Sequence, residues 1–326
     1  MQSTGKTTYT VRVNEINEEA VGIRSFRVSR VDGLPLEPYE PGAHVDVTSP
    51  SGITRQYSLC GDPDVRDEYL FAVKREEKSR GGSISLHDDV MVGTQLLIGR
   101  PRNLFALESL ASHTVLFAAG IGITPLLNMA YRLVRLQRKF VLHYFVRSKA
   151  HAAFSEILLA PPFAQHVHMH VNEPRDGIER TMHEALDQAG GSAHVYTCGP
   201  SPFMELVEKI AENYVAADSV HLERFEVAPD PISEDNELET FNVKVASTGQ
   251  IVRVEKGVSI VEALATIGVD VDTSCAEGVC GTCVVDVVEG DPSHRDQCLS
   301  KKERASGKVI CSCVSRSRSP LLILDL

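Results

Sequence analysis

The sequence predicts a multidomain protein with an antiparallel β-barrel first, a doubly wound α/β domain second and a compact α+β domain last. Three observations carry this. The first hundred or so residues hold short, partly alternating apolar segments with turns between them. The middle third alternates apolar strands with helical patterns. Six of the eight cysteines fall in the last 52 of the 326 residues. At roughly 100–200 residues per domain, a chain of this length holds two or three.

The barrel segments are YTVRVNEI, IRSFRVSRV, HVDVTS, RQYSLC and EYLFAVKRE. Several short strands in so little chain suggest closure into a small barrel. The strand from His113 to Ala119 then runs into Gly120-Ile-Gly-Ile-Thr-Pro125 and a helix whose apolar residues Leu126, Leu127, Ala130, Leu133, Val134 and Leu136 recur at helical spacing. Strands follow at 140–146, 166–171 and 194–197, then a helix at 203–214 and a short strand at 220–225. Strands alternating with helices indicate a parallel, doubly wound sheet. The tail opens with a hairpin, FNVKVAS-TG-QIVRVEKG. A helix at 259–267, a cysteine-rich loop and the strand-like VVDVVEG and LLILDL follow. The segment 228–240, APDPISEDNELET, is acidic, has two prolines and lacks apolar periodicity. It reads as a linker, giving domains at 1–107, 108–227 and 241–326.

Composition narrows the function classes. Apolar residues make up 43% and charged residues 24%, too apolar for a disordered chain. The net charge of −11 lacks the basic footprint of a nucleic-acid binder. No apolar run reaches the ~18 residues that span a bilayer, and the N-terminus has no apolar signal core. A cytoplasmic protein is expected, so clustered cysteines point to metal or redox chemistry rather than disulfides.

Cys275-Ala-Glu-Gly-Val-Cys280-Gly-Thr-Cys283 is C-x4-C-x2-C, with Cys313 thirty positions beyond. This is the ligand spacing of a plant-type [2Fe–2S] cluster, in which each iron takes tetrahedral sulfur ligands. Gly278 and Gly281 let the loop backbone approach the cluster. Structural zinc more commonly uses two paired CxxC units, and only one is present. Cys311 and Cys313 both sit in the strand-like ICSCVSR, where they would share a face, so periodicity leaves the fourth ligand open. Cys298 is a further thiol nearby.

Two other motifs suit a flavin. In Arg55-Gln56-Tyr57-Ser58, Arg can neutralise a phosphate, Tyr can flank an aromatic ring system and Ser can hydrogen-bond its edge. In Ser79-Arg-Gly81-Gly82-Ser83, glycines precede a helix start whose free amides favour a phosphate. Gly120, Gly122, Ile123, Thr124 and Pro125 form a strand-to-helix turn that admits a pyrophosphate closely. Cys198-Gly199-Pro200 follows a sheet strand and precedes a helix. Arg147 and Ser148 end the strand FVLHYFV, where an adenosine ribose would lie, and Arg147 with Lys149 leaves a 2′-phosphate open. The alternating His166, His168 and His170 lack acidic or Cys partners nearby and are not read as a metal site. His294-Arg295-Asp296 reads as a turn, since Ser300 stands where a kinase loop needs Asn.

In order, RQYS, SRGGS, GIGITP, CGP, CAEGVCGTC and CVSR resemble the phthalate dioxygenase reductase family and its vanillate demethylase reductase relatives, over essentially the whole chain. Ala119 stands where that superfamily often has Gly. The resemblance implies a flavin barrel, a nucleotide-binding α/β domain and a C-terminal ferredoxin domain holding FMN, NADH and the cluster. It favours Cys313 over Cys311 as the fourth ligand. It adds Val73 and Lys74 to the flavin contacts, has Phe225 close the nucleotide domain against the flavin, and has Ser58, Thr124 and Cys198 shape the flavin–nicotinamide contact. It also implies that hydride from NADH reaches FMN and single electrons pass through the cluster to a Rieske-type oxygenase component. A reductase for a cytochrome P450 or another acceptor, and a non-enzymatic redox sensor, are the alternatives.

Overall fold

The computed structural model describes residues 8–109, 111–225, 238–273, 275–299 and 301–326. Most of the expected linker at 228–240, and Ser300, lie outside the described residues. The chain divides into two compact units, Met1–Glu223 and Arg224–Leu326.

The first unit begins with β1 (Thr8–Ala20), β2 (Ile23–Arg30), β3 (His44–Thr48), β4 (Thr54–Ser58), β5 (Tyr69–Lys74), helix α1 (Gly82–Asp88) and β6 (Gln95–Gly99). These strands form an antiparallel sheet in the order β4-β3-β6-β1-β2-β5. Its edges meet where Leu59, just past β4, bridges Phe71 of β5 and the Cys60 amide donates to the Leu70 carbonyl at 2.8 Å. Alternate residues point inward, so Val11, Val13, Phe26, Val28, Val45, Val47, Phe71 and Val73 fill the barrel. β6 was not among the expected strands. Its Leu96 and Ile98 are buried while Leu97 is exposed, a two-residue alternation too short to stand out before the sheet supplies neighbours.

The same unit continues with β7 (Thr114–Ala119), α2 (Ile123–Arg135), β8 (Phe140–Val146), α3 (Ser155–Leu158), β9 (Val167–Val171), α4 (Arg175–Ala189), β10 (His194–Cys198), α5 (Ser201–Ala211) and β11 (Val220–Glu223). All five strands are parallel, in the order β11-β10-β7-β8-β9, which is the doubly wound sheet expected. Helix α4 was missed. It is polar on most of its surface and buries only Gly177, Met182, Ala185 and Leu186. A parallel crossover from β9 to β10 nevertheless demands an element there. Barrel and sheet share a core: Ile23, Cys60, Leu70 and Ala72 of the barrel pack with Leu126, Leu127, Ala130 and Tyr144.

The second unit contains β12 (Phe241–Val245), β13 (Ile251–Val254), α6 (Ile260–Ala265), β14 (Val284–Glu289), β15 (Pro292–Ser293), α7 (Lys301–Ser306), β16 (Val309–Cys311), β17 (Arg316–Ser317) and β18 (Leu321–Leu324). Its main sheet has the order β13-β12-β18-β14-β16. Helix α6 starts with a capping box: the Ser259 hydroxyl accepts from the Glu262 amide, and the Glu262 carboxylate accepts from the Ser259 amide. Val243, Val245, Val254, Ile260, Leu264, Leu322 and Leu324 close the core beneath it.

Candidate functional site

The flavin motif lies on β4 and the turn before α1. Gly82 abuts β4 so closely that an added Cβ would stand 3.0 Å from Ile53 and 3.4 Å from Arg55, so the two motifs meet in space. Helix α1 begins at Gly82, inside the motif rather than after it, with Gly81 at φ +97° as its cap. Ser83 is therefore inside the helix, and its hydroxyl accepts from the Glu76 amide at 3.1 Å. Tyr57 stacks on Phe71 with ring centroids 5.7 Å apart. The Gln56 side-chain amide nitrogen is buried without a hydrogen-bond partner. The close approach of Gly82 to Arg55 brings the guanidinium-bearing strand and the glycine turn together, which fits a flavin phosphate. Val73 faces the barrel core and its carbonyl accepts from His87 at 2.9 Å, while Lys74 pairs with Glu76.

The nucleotide motifs meet across the carboxyl ends of β7 and β10, where ligands of open parallel sheets bind. Gly122 packs against the strand end so tightly that a Cβ would sit 2.1 Å from the Cys198 carbonyl. A Cβ on Gly199 would meet the Ala119 methyl at 2.8 Å. Ala119 thus occupies space that Gly199 vacates, which accommodates this chain's departure from the family pattern. The Thr124 hydroxyl donates to the Ile121 carbonyl at 3.0 Å and holds the turn, and Pro125 sits in the first turn of α2, where its missing amide costs nothing. Ile123 is fully buried. Arg147 and Ser148 converge on His151, with Ser148 Oγ 2.8 Å from Nδ1. Pro200 caps α5. Phe225, two residues past β11, is exposed.

One residue escaped sequence reasoning. Glu223 ends β11 beside Cys198 in register, and Ser58 Oγ donates to its carboxyl at 3.1 Å. Burial pushes the Glu223 carboxyl up to about 8, against the pull of the Ser58 hydrogen bond. Burial, reinforced by Glu223, also raises the Cys198 thiol well above the usual range, so Cys198 is a neutral packing surface. Ser58, Cys198 and Glu223 therefore gather where the flavin strand meets the nucleotide sheet. A Glu in Leu222-Glu223-Arg224-Phe225 carries no motif of its own, and only the pairing of β10 with β11 reveals it.

In the second unit, Cys283, Cys311 and Cys313 bring their sulfurs within 4.8 Å of one another. Cys283 and Cys311 are 3.3 Å apart, and Cys311 and Cys313 3.9 Å. Hydrogen bonding from Cys311, then Cys313, holds the Cys283 thiol well below its ordinary range. The expectation of one strand across Cys311 and Cys313 is corrected: β16 ends at Cys311, and residues 312–314 form a turn. The turn arises because Ser312 donates its amide and its hydroxyl to the Cys283 carbonyl (3.1 and 2.7 Å) and the Ser315 amide returns to Cys311 at 3.0 Å. Gly278, at φ +74°, leaves no room for a Cβ, which would stand 2.7 Å from Val314. Asp296 is buried and accepts from the Leu299 amide, so His294-Arg295-Asp296 organises this loop. Converging sulfurs on a glycine-bearing loop fit a [2Fe–2S] cluster. The strand histidines make ring contacts: His166 stacks on Phe140, and His168 and His170 stack on His143.

Residues 243–318 match the family model for the 2Fe-2S iron-sulfur cluster binding domain. The chain is 40% identical to the vanillate O-demethylase oxidoreductase of Pseudomonas sp. (strain HR199 / DSM 7063), over 94% of this chain and 96% of that one. It belongs to this family of oxygenase reductases. The solved phthalate dioxygenase reductase, described as a modular structure for electron transfer from pyridine nucleotides to [2FE-2S], matches with a TM-score of 0.70 and 33% identity over 98% of each chain. An intact type IV self-sufficient cytochrome P450 monooxygenase matches with a TM-score of 0.86 and 32% identity, over 98% of this chain and 41% of that one. The chain spans about half (54%) of the length of oxidoreductase NdmD of Pseudomonas putida, to which it is 41% identical. Family member and fold alike, the protein is an oxidoreductase with a flavoprotein reductase architecture and a [2Fe–2S] domain. Among the described residues no helix is long and apolar enough to cross a membrane.

Proposed function

We propose that the protein carries electrons from NADH through FMN and the [2Fe–2S] cluster to an oxygenase component in the cytoplasm. The observation that carries this is the Ser58–Glu223 hydrogen bond, which joins the flavin-motif strand to the nucleotide sheet beside Cys198. Arg55 to Ser58 and Gly81 to Ser83 hold FMN, and Gly120 to Pro125 with Cys198 to Pro200 hold NADH. Cys275, Cys280, Cys283 and Cys313 hold the cluster. When bound, the cofactors supply the conversion of a two-electron hydride into single electrons. The chain orients them and excludes water.

The test is the visible spectrum of the purified protein before and after NADH without air, with the released flavin identified by chromatography. Flavin and iron–sulfur absorbance that bleach together, with FMN released, is the expected result. Released FAD, or loaded cofactors that NADH leaves untouched, would refute the reading.

The charge of Glu223 gives a pH dependence. At neutral pH its carboxyl keeps a proton that it can return to Ser58 Oγ, freeing the Ser58 hydrogen for the flavin side. As pH rises through about 8 the carboxylate becomes acceptor only and ties up that hydrogen. Flavin reduction by NADH should be level near pH 7 and decline through pH 8, and Glu223→Gln should abolish the decline. A step that persists in the Gln variant would clear Glu223 of the role. Stability follows the same sign. Between about 4.5 and about 8 the unfolded chain sheds a proton that the folded one keeps, so stability falls as pH rises across that window.

The vanillate reductase relative, matched over 94% of this chain and 96% of its own, favours an oxygenase component over a stand-alone haem protein as the acceptor. Residues 228–326 hold 16 acidic and 10 basic side chains, a net −6 of the total −11. A partner with a basic docking patch fits that surface. Partner reduction should slow at least about tenfold as ionic strength rises to physiological levels. A rate indifferent to salt would remove charge from the account of docking.

A further inference from the structure

Asn128 is wholly buried in α2, one turn beyond Thr124 and on the same helix face. The hydrogen bonds of its side chain go to no nucleotide motif. Instead it reaches the barrel. Its Oδ1 accepts from the Gly42 amide at 3.1 Å, and its Nδ2 donates to the Gly61 carbonyl at 2.6 Å and the Tyr39 hydroxyl at 3.3 Å. Both backbone partners are themselves fixed. Gly42 has φ +92°, and a Cβ there would stand 1.9 Å from the Phe105 carbonyl. Gly61 follows a segment pinned by Leu59 to Ala43 at 2.9 Å and by Cys60 to Leu70 at 2.8 Å. Ser58 lies three residues before Gly61 on that extended run. A single amide therefore ties the helix that begins at the nucleotide turn to the loop that ends the flavin strand.

An apolar side chain of similar volume would fill the same space beside Gly42, Gly61 and Tyr39. What it would lack is a choice of register, since apolar packing tolerates small slides that a satisfied buried amide does not. We propose that Asn128 is a positioning residue, setting the spacing between the nicotinamide held at Gly120–Pro125 and the flavin held at Arg55–Ser58. The nearby Arg132 and Arg135 pairs with Glu40, Asp62 and Asp64 lie on the solvent side of the same seam and contribute little to register. This inference rests on the proposed hydride path.

The experiment compares the holoprotein with Asn128→Leu and Arg135→Ala by anaerobic stopped flow, using NADH and NADH deuterated at the transferred position. For Asn128→Leu the flavin-reduction rate should fall about 10- to 100-fold, the scale of an ångström-level misplacement. Its deuterium isotope effect should persist, and flavin content, cluster content and the NADH concentration for half-saturation should stay within about twofold. Arg135→Ala should match wild type. Should the Leu variant not fold, Asn128→Ser, which leaves room for a bridging water, is read in its place. An unchanged rate, or a slower rate explained by lost flavin or weakened NADH binding, overturns the inference. A wild-type protein that NADH does not reduce refutes the hydride path itself, a separate outcome.

Discussion

Cys283→Ser is expected to remove the iron–sulfur absorbance and electron delivery to the oxygenase while leaving NADH reduction of the flavin intact. The site explains the separation. Cys283 lies in the second unit, held by Cys311 at 3.3 Å and by Ser312, which hydrogen-bonds its carbonyl. The Gly120–Pro125 turn and Ser58 lie in the first unit. Losing a residue that only supports a metal ligand costs roughly 10–100-fold in affinity, so losing a ligand should lower partner reduction by more than ~100-fold. Turnover with ferricyanide, which accepts directly from flavin, should remain near wild type. A Cys283→Ser protein that keeps its cluster spectrum would place the ligands elsewhere. The same assay separates the two C-terminal thiols. Cys313→Ser should lose the cluster, because the turn at 312–314 takes Cys313 out of β16 and away from the sheet core. Cys311→Ser should keep it, since Cys311 remains in the strand, fully buried and paired with Val284. The reverse result would make Cys311 the ligand.

The parts of the fold that were legible in the sequence are those with a short period or a steric demand. Inward-pointing Val11, Val13, Phe26 and Val28 announce barrel strands because alternation needs only a few residues to show. The glycines at 120 and 122 announce a strand-to-helix turn because few other residues fit there. Helix α4 was illegible because its neighbours cover only a narrow stripe, and β6 because Leu97 on its exposed face is as apolar as Leu96 and Ile98 on its buried one, so no alternation shows. The candidate site divides in the same way. Cys275, Cys280 and Cys283 lie close in sequence, so their spacing reveals them. Glu223 and Ser58 are 165 positions apart, and Asn128 and Gly61 are 67. Only the pairing of sheet and barrel brings such residues together, and neither pair has a local pattern to read. The turn at Cys313 was missed for a related reason: the Ser312 contacts with Cys283 that bend the chain are long-range.

Gly122→Ala should abolish most NADH-driven reduction without touching the cofactors themselves. The added methyl would stand 2.1 Å from the Cys198 carbonyl oxygen and 2.7 Å from the Gly199 amide nitrogen, both backbone atoms of a buried strand end. Neither can swing aside as a side chain does, and Gly199 already packs on Ala119. To reach ordinary contact the turn must move away from β10 by about 1 Å, and a shift of that size at a reacting centre costs on the order of 100-fold in rate. Overpacking adds about 1–3 kcal/mol of destabilisation, small enough for the fold to survive. Flavin and cluster should load normally and bleach fully with dithionite, while bleaching with NADH slows about 100-fold. The comparison matters because dithionite needs no nucleotide site: equal slowing by both reductants would place the damage in the flavin or cluster domains. Wild-type kinetics with NADH would mean that the approach of Gly122 to β10 does not define where the nicotinamide binds.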